Sequence, residues 1–523
     1  MPNPTQRRAR VPVIDLFAGP GGLGEGFSAF QHERLSFDVV LSVEKDIAAY
    51  RTLMLRAFFR ALSSRGDPAP YYRYIKEALT DEDLYRRLPG AATQARSRCL
   101  HLEMGPRTTQ HVYAHLEHAV GEAATWVLVG GPPCQAYSVV GRSRLSRMDR
   151  GAFEQSEKHV LYREYLRILA RYLPPVFVVE NVKGLLSATY GGDSTFARML
   201  SDLSSPTVAV REGLNGHKPA TRRGGEYSIL SLTHPENAEE LRPEHYVIEA
   251  EKFGIPQRRH RVILLGVRSD ICIPRGLCLA PRAAPSVGCV LSDLPALRSQ
   301  LSQYADGPAL WADAIRDAYA RFAGTDLDDS VRQVMTTALH CLQLKAGTGG
   351  RFVPRRKVAS RVTDLMAWIV DPIMDVVPNH ETRKHIPEDL VRYLFASSYA
   401  NVHGSSPKLH EFPTDLLPNH ESVADALRIR HGFFNDRFRV QVADQPATTV
   451  TSHLSKDGHY FIHHDPSQCR SWTVREAARA QTFPDNYFFE GTRTDQYRQV
   501  GNAVPPYLAL QIAELVAAIL GAP

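Results

Sequence analysis

The sequence predicts an α/β fold of Rossmann-like type, with a mostly parallel central sheet and a smaller irregular second domain, and three stretches carry that expectation. Val11-Pro12-Val13-Ile14-Asp15-Leu16-Phe17 is a short apolar run that feeds directly into a glycine-rich turn. Trp126-Val127-Leu128-Val129 is a second apolar run, closed by Gly130-Gly131-Pro132-Pro133-Cys134. Val176-Phe177-Val178-Val179 is a third, closed by Glu180-Asn181-Val182. Continuous apolar runs of this length bounded by turn residues fit buried strands of a parallel sheet, and in open α/β sheets the chemistry sits beyond the carboxyl ends of such strands.

Taken in order, the first strand leads into Ala18-Gly19-Pro20-Gly21-Gly22-Leu23-Gly24-Glu25-Gly26, the glycine-rich turn and helix start of a Rossmann-like first unit. Glycines there let the backbone approach a ligand, and the helix amino end offers free amide hydrogens. The next apolar run, Val39-Val40-Leu41-Ser42-Val43, ends in Glu44, an acidic residue where a ribose partner is expected. From about residue 60 to 110 the apolar signal weakens. Arg65-Gly66-Asp67-Pro68 breaks a helix, and residues 63–98 look like an insertion.

The Pro-Cys turn follows. Two prolines fix φ and remove amide hydrogens, which would hold the Cys134 thiol at a set distance beyond the sheet edge. A buried structural cysteine would read the same on this stretch alone. Arg142, Arg144, Arg147 and Arg150 come next in a run of low apolar content, either a solvated loop or a set of contacts to nucleic-acid phosphates. Residues 160–173 have helical spacing, and Pro174-Pro175 ends that helix before the Glu180 strand. Gln257-Arg258-Arg259-His260-Arg261 leads into Val262-Ile263-Leu264-Leu265-Gly266, placing alternate arginines at a sheet edge.

Beyond Arg268 prolines punctuate a connector, and residues 301–440 carry many His, Arg, Asn and Ser but no active-site set. The chain then returns to its first domain. Thr473-Val474-Arg475-Glu476 is a capping box opening a helix, and Gln499-Val500-Gly501-Asn502 is expected to open a terminal helix running to about Leu520. The expected division is residues 1–275 as a first domain, 276–300 as connector, 301–440 as a second domain and 441–523 as the return to the first.

Composition narrows the function classes. At 523 residues with 43% apolar content, more than one packed domain is expected. Neither a secretory signal nor an apolar run of membrane-spanning length is read from the sequence, so the expected location is cytoplasmic. Seven scattered cysteines without a Cys-x-x-Cys pair argue against a disulfide framework and a structural metal, so no metal is expected. The net charge of +6 permits a nucleic-acid partner without requiring one.

In order and wording, the Pro-Cys turn at Cys134, the Glu180-Asn181-Val182 strand end and the Gln257-x-Arg259-x-Arg261 strand start resemble the DNA cytosine-5 methyltransferase family. The Asp15-Leu16-Phe17-Ala18-Gly19 and Gln499-Val500-Gly501-Asn502 stretches resemble its cofactor-side motifs. The resemblance implies S-adenosylmethionine as methyl donor, held through Phe17, Gly19, Gly21, Glu44 and Asn502, with Glu103 as nearest match to the residue beside the adenine. It implies Cys134 as nucleophile and Glu180, Arg259 and Arg261 as further catalytic residues, with Arg261 on the ring carbonyl and Arg259 orienting Glu180. Residues 301–440 would then be the target-recognition domain.

The chemistry requires these types together. Carbon 5 of cytosine is a poor nucleophile until a thiolate adds to carbon 6, and a carboxyl in its acid form at ring nitrogen 3 stabilises the adduct. Thiol and methyl donor approach opposite ring faces, so the base must leave the duplex. The expected partner is double-stranded DNA, bound by a monomer away from membranes. A cognate restriction endonuclease, not necessarily in contact, would complete a restriction–modification system. The glycine-rich turn with Glu44 is also compatible with a nicotinamide dehydrogenase, the whole set with a tRNA cytosine methyltransferase, and the chain with a silent DNA-binding homologue.

Overall fold

The computed structural model describes residues 8–77, 80–132, 157–190, 193–212, 225–235, 241–303, 305–322, 327–342, 346–355, 363–417 and 436–521. Cys134 and the arginines from Arg142 to Arg150 lie outside the described residues.

The strands of the main sheet are β1 (Ala9–Leu16), β2 (Leu35–Glu44), β3 (Cys99–His101), β4 (Val127–Gly130), β5 (Val176–Val182), β6 (Tyr227–Leu230), β7 (Val247–Glu249) and β8 (His260–Arg268). They lie in the order β3-β2-β1-β4-β5-β8-β6, with β7 paired to β8. β1 to β5 are mutually parallel, and β8 runs antiparallel to β5, β6 and β7. The order reverses between β1 and β4, the switch point where an open α/β sheet leaves a crevice for ligands.

Both faces of the sheet are apolar, as a central parallel sheet demands. Val127, Val129, Val176, Val178, Ile263 and Leu265 point to one face, and Leu128, Phe177, Val179 and Leu264 to the other. The first face is covered by α1 (Gly22–Ala29) and by Leu508, Ile512 and Val516 of the terminal helix. The second is covered by α6 (Thr109–Val120) and α7 (Glu157–Tyr172), through Val112, Leu116, Tyr165 and Leu169. The expected break before Pro174 holds, with α7 closing at Tyr172.

The insertion is helical. α2 (Ile47–Ser63) stops before Gly66, whose φ of +75° ends the helix, and α3 (Ala69–Glu77), α4 (Asp81–Arg87) and α5 (Pro89–Arg98) fold back on it. Phe58, Tyr71, Tyr74, Ile75, Leu84 and Ala92 form a separate apolar cluster that also takes in Met374 and Phe488. Tyr72 reaches Asp371 (2.5 Å) and Lys76 reaches Asp375 (2.8 Å), so the insertion braces a segment three hundred residues further along.

Residues 301–440 are more regular than expected. α8 (Pro308–Phe322), α9 (Asp329–His340) and α10 (Pro387–His403) share a cluster of Trp311, Ile315, Val331, Met335, Leu390 and Leu394. Trp311 donates to Ser299 Oγ (2.8 Å), which satisfies its buried N–H. Leu365, Met366, Ile369 and Val377 instead join the core of the main sheet, so the apolar cores do not follow the expected boundary at residue 301.

In the return, Thr473 and Glu476 form the expected capping box at the head of α11 (Val474–Ala480). The terminal helix is two helices, α12 (Arg493–Asn502) and α13 (Pro506–Ile519), because Pro505 and Pro506 cannot continue the hydrogen-bond ladder. Together, Arg493–Ile519 is the one membrane-length apolar stretch among the described residues, and 72% of its most apolar window is buried inside the protein. A Cβ at Gly22 would collide with the Val504 carbonyl, and that close approach seats the start of α13 against α1.

Candidate active site

Backbone register, fixed by the sheet's hydrogen bonds, builds the site. Leu16 is opposite Gly130 and Val43, and Gly130 is opposite Val179. The next residues, Phe17, Glu44, Gly131 and Glu180, therefore emerge side by side at one sheet edge. With Gly19, Glu103, Arg259, Arg261 and Asn502 they line one cavity of ≈450 Å³. Pro132, the last described residue before Cys134, lines it as well.

Phe17 takes φ +56°, a left-handed backbone that costs energy for a residue with a Cβ and turns the chain sharply out of β1. The turn is held by Glu44, whose Oε2 accepts from the Gly19 amide (2.8 Å) while Oε1 accepts from the amides of Lys45 (2.9 Å) and Asp46 (2.8 Å). The carboxylate expected to meet ribose hydroxyls thus already organises the loop, and a hydroxyl would bind its remaining lone pairs. Gly21 does not line the cavity. It is the left-handed N-cap of α1, and a Cβ there would press on Leu53 and the Tyr487 hydroxyl. Glu103 is exposed at the cavity rim, paired with Lys45 (2.9 Å).

Arg261 stands where Arg259 was expected, and Arg259 does not reach Glu180. Ile263 is opposite Glu180 and Arg261 lies two residues earlier on the same face, so the pair are diagonal neighbours across antiparallel strands. Arg261 Nε meets Glu180 Oε1 at 2.9 Å, and Arg261 Nη1 donates to the His260 carbonyl (2.9 Å). Arg259, 2% exposed, makes no bond to Glu180 and instead donates to the carbonyls of Val450 (2.8 Å) and Gly501 (3.3 Å). Arg261 is therefore the arginine that contacts Glu180 in the structure, across the antiparallel strand pair. Burial, and next the charge of Arg261, push the Arg259 guanidinium well below its usual range. Gln257 completes the joint, donating to Ala480 O (2.9 Å) and accepting from Val450 N (3.0 Å).

Sequence reasoning missed Asp15. It lines the cavity at 1% exposure with neither carboxylate oxygen hydrogen-bonded, and burial lifts its pKa to about 7. A carboxylate inside an otherwise apolar strand was the available signal, since such residues are seldom buried unpaired. Asp495 and Arg498 of α12 also line the cavity and carried no signal beyond ordinary helical polarity, while Gln499 lines it within a motif already singled out. Among the described residues no three His, Cys, Asp or Glu side chains are placed to hold a metal ion.

The family model for C-5 cytosine-specific DNA methylase matches residues 122–206 and 378–517. The chain is 31% identical over 525 residues to a type II methyltransferase, M.Bpa9945I, of Bacillus paralicheniformis, across 96% of this chain and 98% of that protein. It is 27% identical over 543 residues to the DNA (cytosine-5-)-methyltransferase M.ApeKI of Aeropyrum pernix, across 98% and 100%. In fold it is similar to a prophage-encoded E. coli protein described as a DNA modification methyltransferase, at a TM-score of 0.52 and 17% identity, covering 98% of this chain and 100% of that one. The mostly parallel sheet with its strand-end cavity and the full-length relatives agree, and the chain belongs to the C-5 cytosine-specific DNA methylase family as a DNA (cytosine-5-)-methyltransferase.

Proposed function

We propose that the chain methylates carbon 5 of one cytosine within a specific double-stranded DNA sequence, through a covalent adduct on Cys134 with the base turned out of the duplex, as the modification enzyme of a restriction–modification system. One observation carries the reading: register brings the Glu180–Arg261 pair, the Phe17–Glu44 turn and the Pro132 that precedes Cys134 to a single cavity.

The residues present fit S-adenosylmethionine. The unpaired Asp15 carboxyl and the Glu44 carboxylate give a cationic, hydroxyl-bearing ligand two acidic partners, and the strained turn at Phe17 and Gly19 leaves backbone exposed to it. Phe17, Gly19, Glu44 and Asn502 would hold it, with Glu103 at the rim and Gly21 acting through the shape of the turn. When bound, the cofactor supplies a methyl group made electrophilic by its sulfonium.

The chain's own residues then do the following. The Cys134 thiolate forms a bond to carbon 6, and the displaced π electrons pass toward ring nitrogen 3, where the carboxyl group of Glu180 donates its proton. Arg261 holds that carboxyl in place, and the resulting carboxylate takes the proton back from ring nitrogen 3 as the ring is restored. Carbon 5, now enamine-like, takes the methyl group. A base removes the carbon-5 proton, the double bond re-forms and the sulfur–carbon bond breaks. Arg259 contributes by fixing Val450 and Gly501, and through them Asn502, beside the cavity.

Residues 1–275 with 441–523 would be the catalytic domain, 276–300 a connector and 301–440 the target-recognition domain, the α8–α10 cluster giving the last its own support. The chain would act as a monomer within the cytoplasm. Incubation with methyl-labelled cofactor and either duplex DNA or tRNA tests the reading. Label recovered as 5-methylcytosine from DNA at one sequence is expected, and label in tRNA alone overturns it. Exchange of residues 301–440 with those of a relative of different target should move the methylated sequence.

A further inference from the structure

A second cavity, of ≈380 Å³, lies where α10 and α12 meet the Ser452–Ser455 turn. Four cationic side chains line it, Arg383, Lys384, Lys456 and Arg493, against two carboxylates, Asp389 and Asp457. Asp389 is already paired with Arg392 (2.7 Å), Asp457 accepts from the His459 amide (3.1 Å), and Arg493 is paired with Glu381 (3.7 Å), which leaves the two lysines as the open charges. Among the described residues neither Lys384 nor Lys456 has an acidic partner within salt-bridge distance, and both are exposed. Arg383, only 8% exposed, spends its terminal nitrogens on the carbonyls of Leu454, Ser455 and Lys456 and lies 4.0 Å over the Tyr497 ring. Its Nε–H is buried with no acceptor. A cavity with surplus positive charge and an orphaned guanidinium N–H is built for an anion.

The cavity's place says which anion. α12 forms a wall of both cavities, with Arg493 and Tyr497 turned to this one and Arg498, Gln499 and Asn502 to the active site. A ten-residue helix spans about 15 Å, the length over which one DNA strand presents about four phosphates. A duplex delivering a cytosine to Glu180 thus carries backbone phosphates within reach. We propose that this cavity seats one backbone phosphodiester of the DNA substrate, with Lys384 and Lys456 as the neutralising charges. The proposal rests on the DNA reading of the neighbouring site. It gives the protein a sequence-independent anchor that fixes how far the duplex can slide relative to the reacting base.

The test uses full-length protein and a duplex containing its target. For Lys384→Ala/Lys456→Ala, the slope of log affinity against log salt should be shallower than wild type by about 0.9, one phosphate's worth. Single methylphosphonate substitutions along the duplex should reveal one position that weakens wild-type binding and leaves the double variant indifferent. Thermal melting monitors the fold, and the single Lys→Gln variants replace the double variant if it melts early. An unchanged slope with an unchanged methylphosphonate profile overturns the proposal. So does stabilisation of the wild type by inorganic phosphate with no change in the DNA slope, which would mark a free-anion site. If wild type methylates DNA while the slope is unchanged, only this assignment falls. If it neither binds nor methylates DNA, the functional reading falls and takes this one with it.

Discussion

The sheet edge and the α8–α10 unit are built on opposite plans. At the edge, five parallel and antiparallel strand pairings bring Phe17, Glu44, Gly131, Glu180 and Arg261 into one row. In the helical unit, Trp311, Ile315, Met335, Leu390 and Leu394 make an apolar cluster held by packing rather than by strand register. Bond-making needs atoms held to within a fraction of an ångström, which rigid strand ends provide. The recognition role proposed for residues 301–440 calls for breadth rather than a local motif, and a helical unit can supply it. Two neighbouring arginines show the contrast again: Arg261 meets Glu180, and Arg259, just before the strand, is a buried tie to the return segment.

The largest expected effect belongs to the edge. Cys134→Ser should lower methyl transfer by about 10⁴-fold or more, the scale of losing a nucleophile, with DNA and cofactor still bound. Turnover near the wild-type rate would remove the covalent mechanism. Arg261→Ala should cost about 10²–10³-fold in turnover with little change in unfolding free energy, because it frees Glu180 at a partly exposed site. Arg259→Ala should do the reverse. It strips buried carbonyls at Val450 and Gly501 of their donor, and denaturant unfolding should show a loss of about 3 kcal/mol. Equal effects of the two substitutions on stability would erase the distinction drawn between them.

Proton linkage separates the regions with opposite signs. Asp15 has its pKa raised to about 7 by burial, from an ordinary 3.8. Between those values the folded state binds more protons than the unfolded, so Asp15 lowers stability as pH rises, by a few kcal/mol at most above pH 7. Asp15→Asn should therefore be more stable than wild type at pH 8 and no more stable near pH 4, and a gain independent of pH would contradict the account. His380 and His385, on the strands leading into α10, are held down to about 4 and about 3 by burial. There the unfolded state binds the extra protons once pH falls below 6.5, so stability drops by about 1.4 kcal/mol per histidine for each unit of further acidification. His385→Gln should flatten that acid limb in urea titrations between pH 6.5 and 4.5, and an unaltered limb would place the acid sensitivity elsewhere.

What could be read in advance follows the same division. The strand ends at Phe17, Glu44 and Glu180 were legible because an apolar run stopped by turn residues has one natural reading. Which arginine meets Glu180 was not, since it depends on the antiparallel register of β8 with β5. Gly21 looked like a ligand contact and is a turn and packing position. The helical core of residues 301–440 did leave a trace, in Trp311, Ile315 and Ala318 and again in Leu390 and Leu394, but helical spacing there was masked by the surrounding polar residues. The break between α12 and α13 was signalled by Pro505-Pro506 and was read past. Asp495 and Arg498 had no signal, because a polar helix face reads as solvent until a cavity is found beneath it.

The central claim is that this strand-end cavity is completed by Cys134, acting as the nucleophile on a cytosine. Duplex DNA carrying 5-fluorocytosine at the target position tests it most directly, in the presence of S-adenosylmethionine, because the fluorine cannot leave as a proton does and the adduct persists. Peptide mass spectrometry of the trapped complex should find the modified base on the peptide containing Cys134. A protein that methylates ordinary target DNA yet forms no adduct, or forms it on another cysteine, would contradict the account.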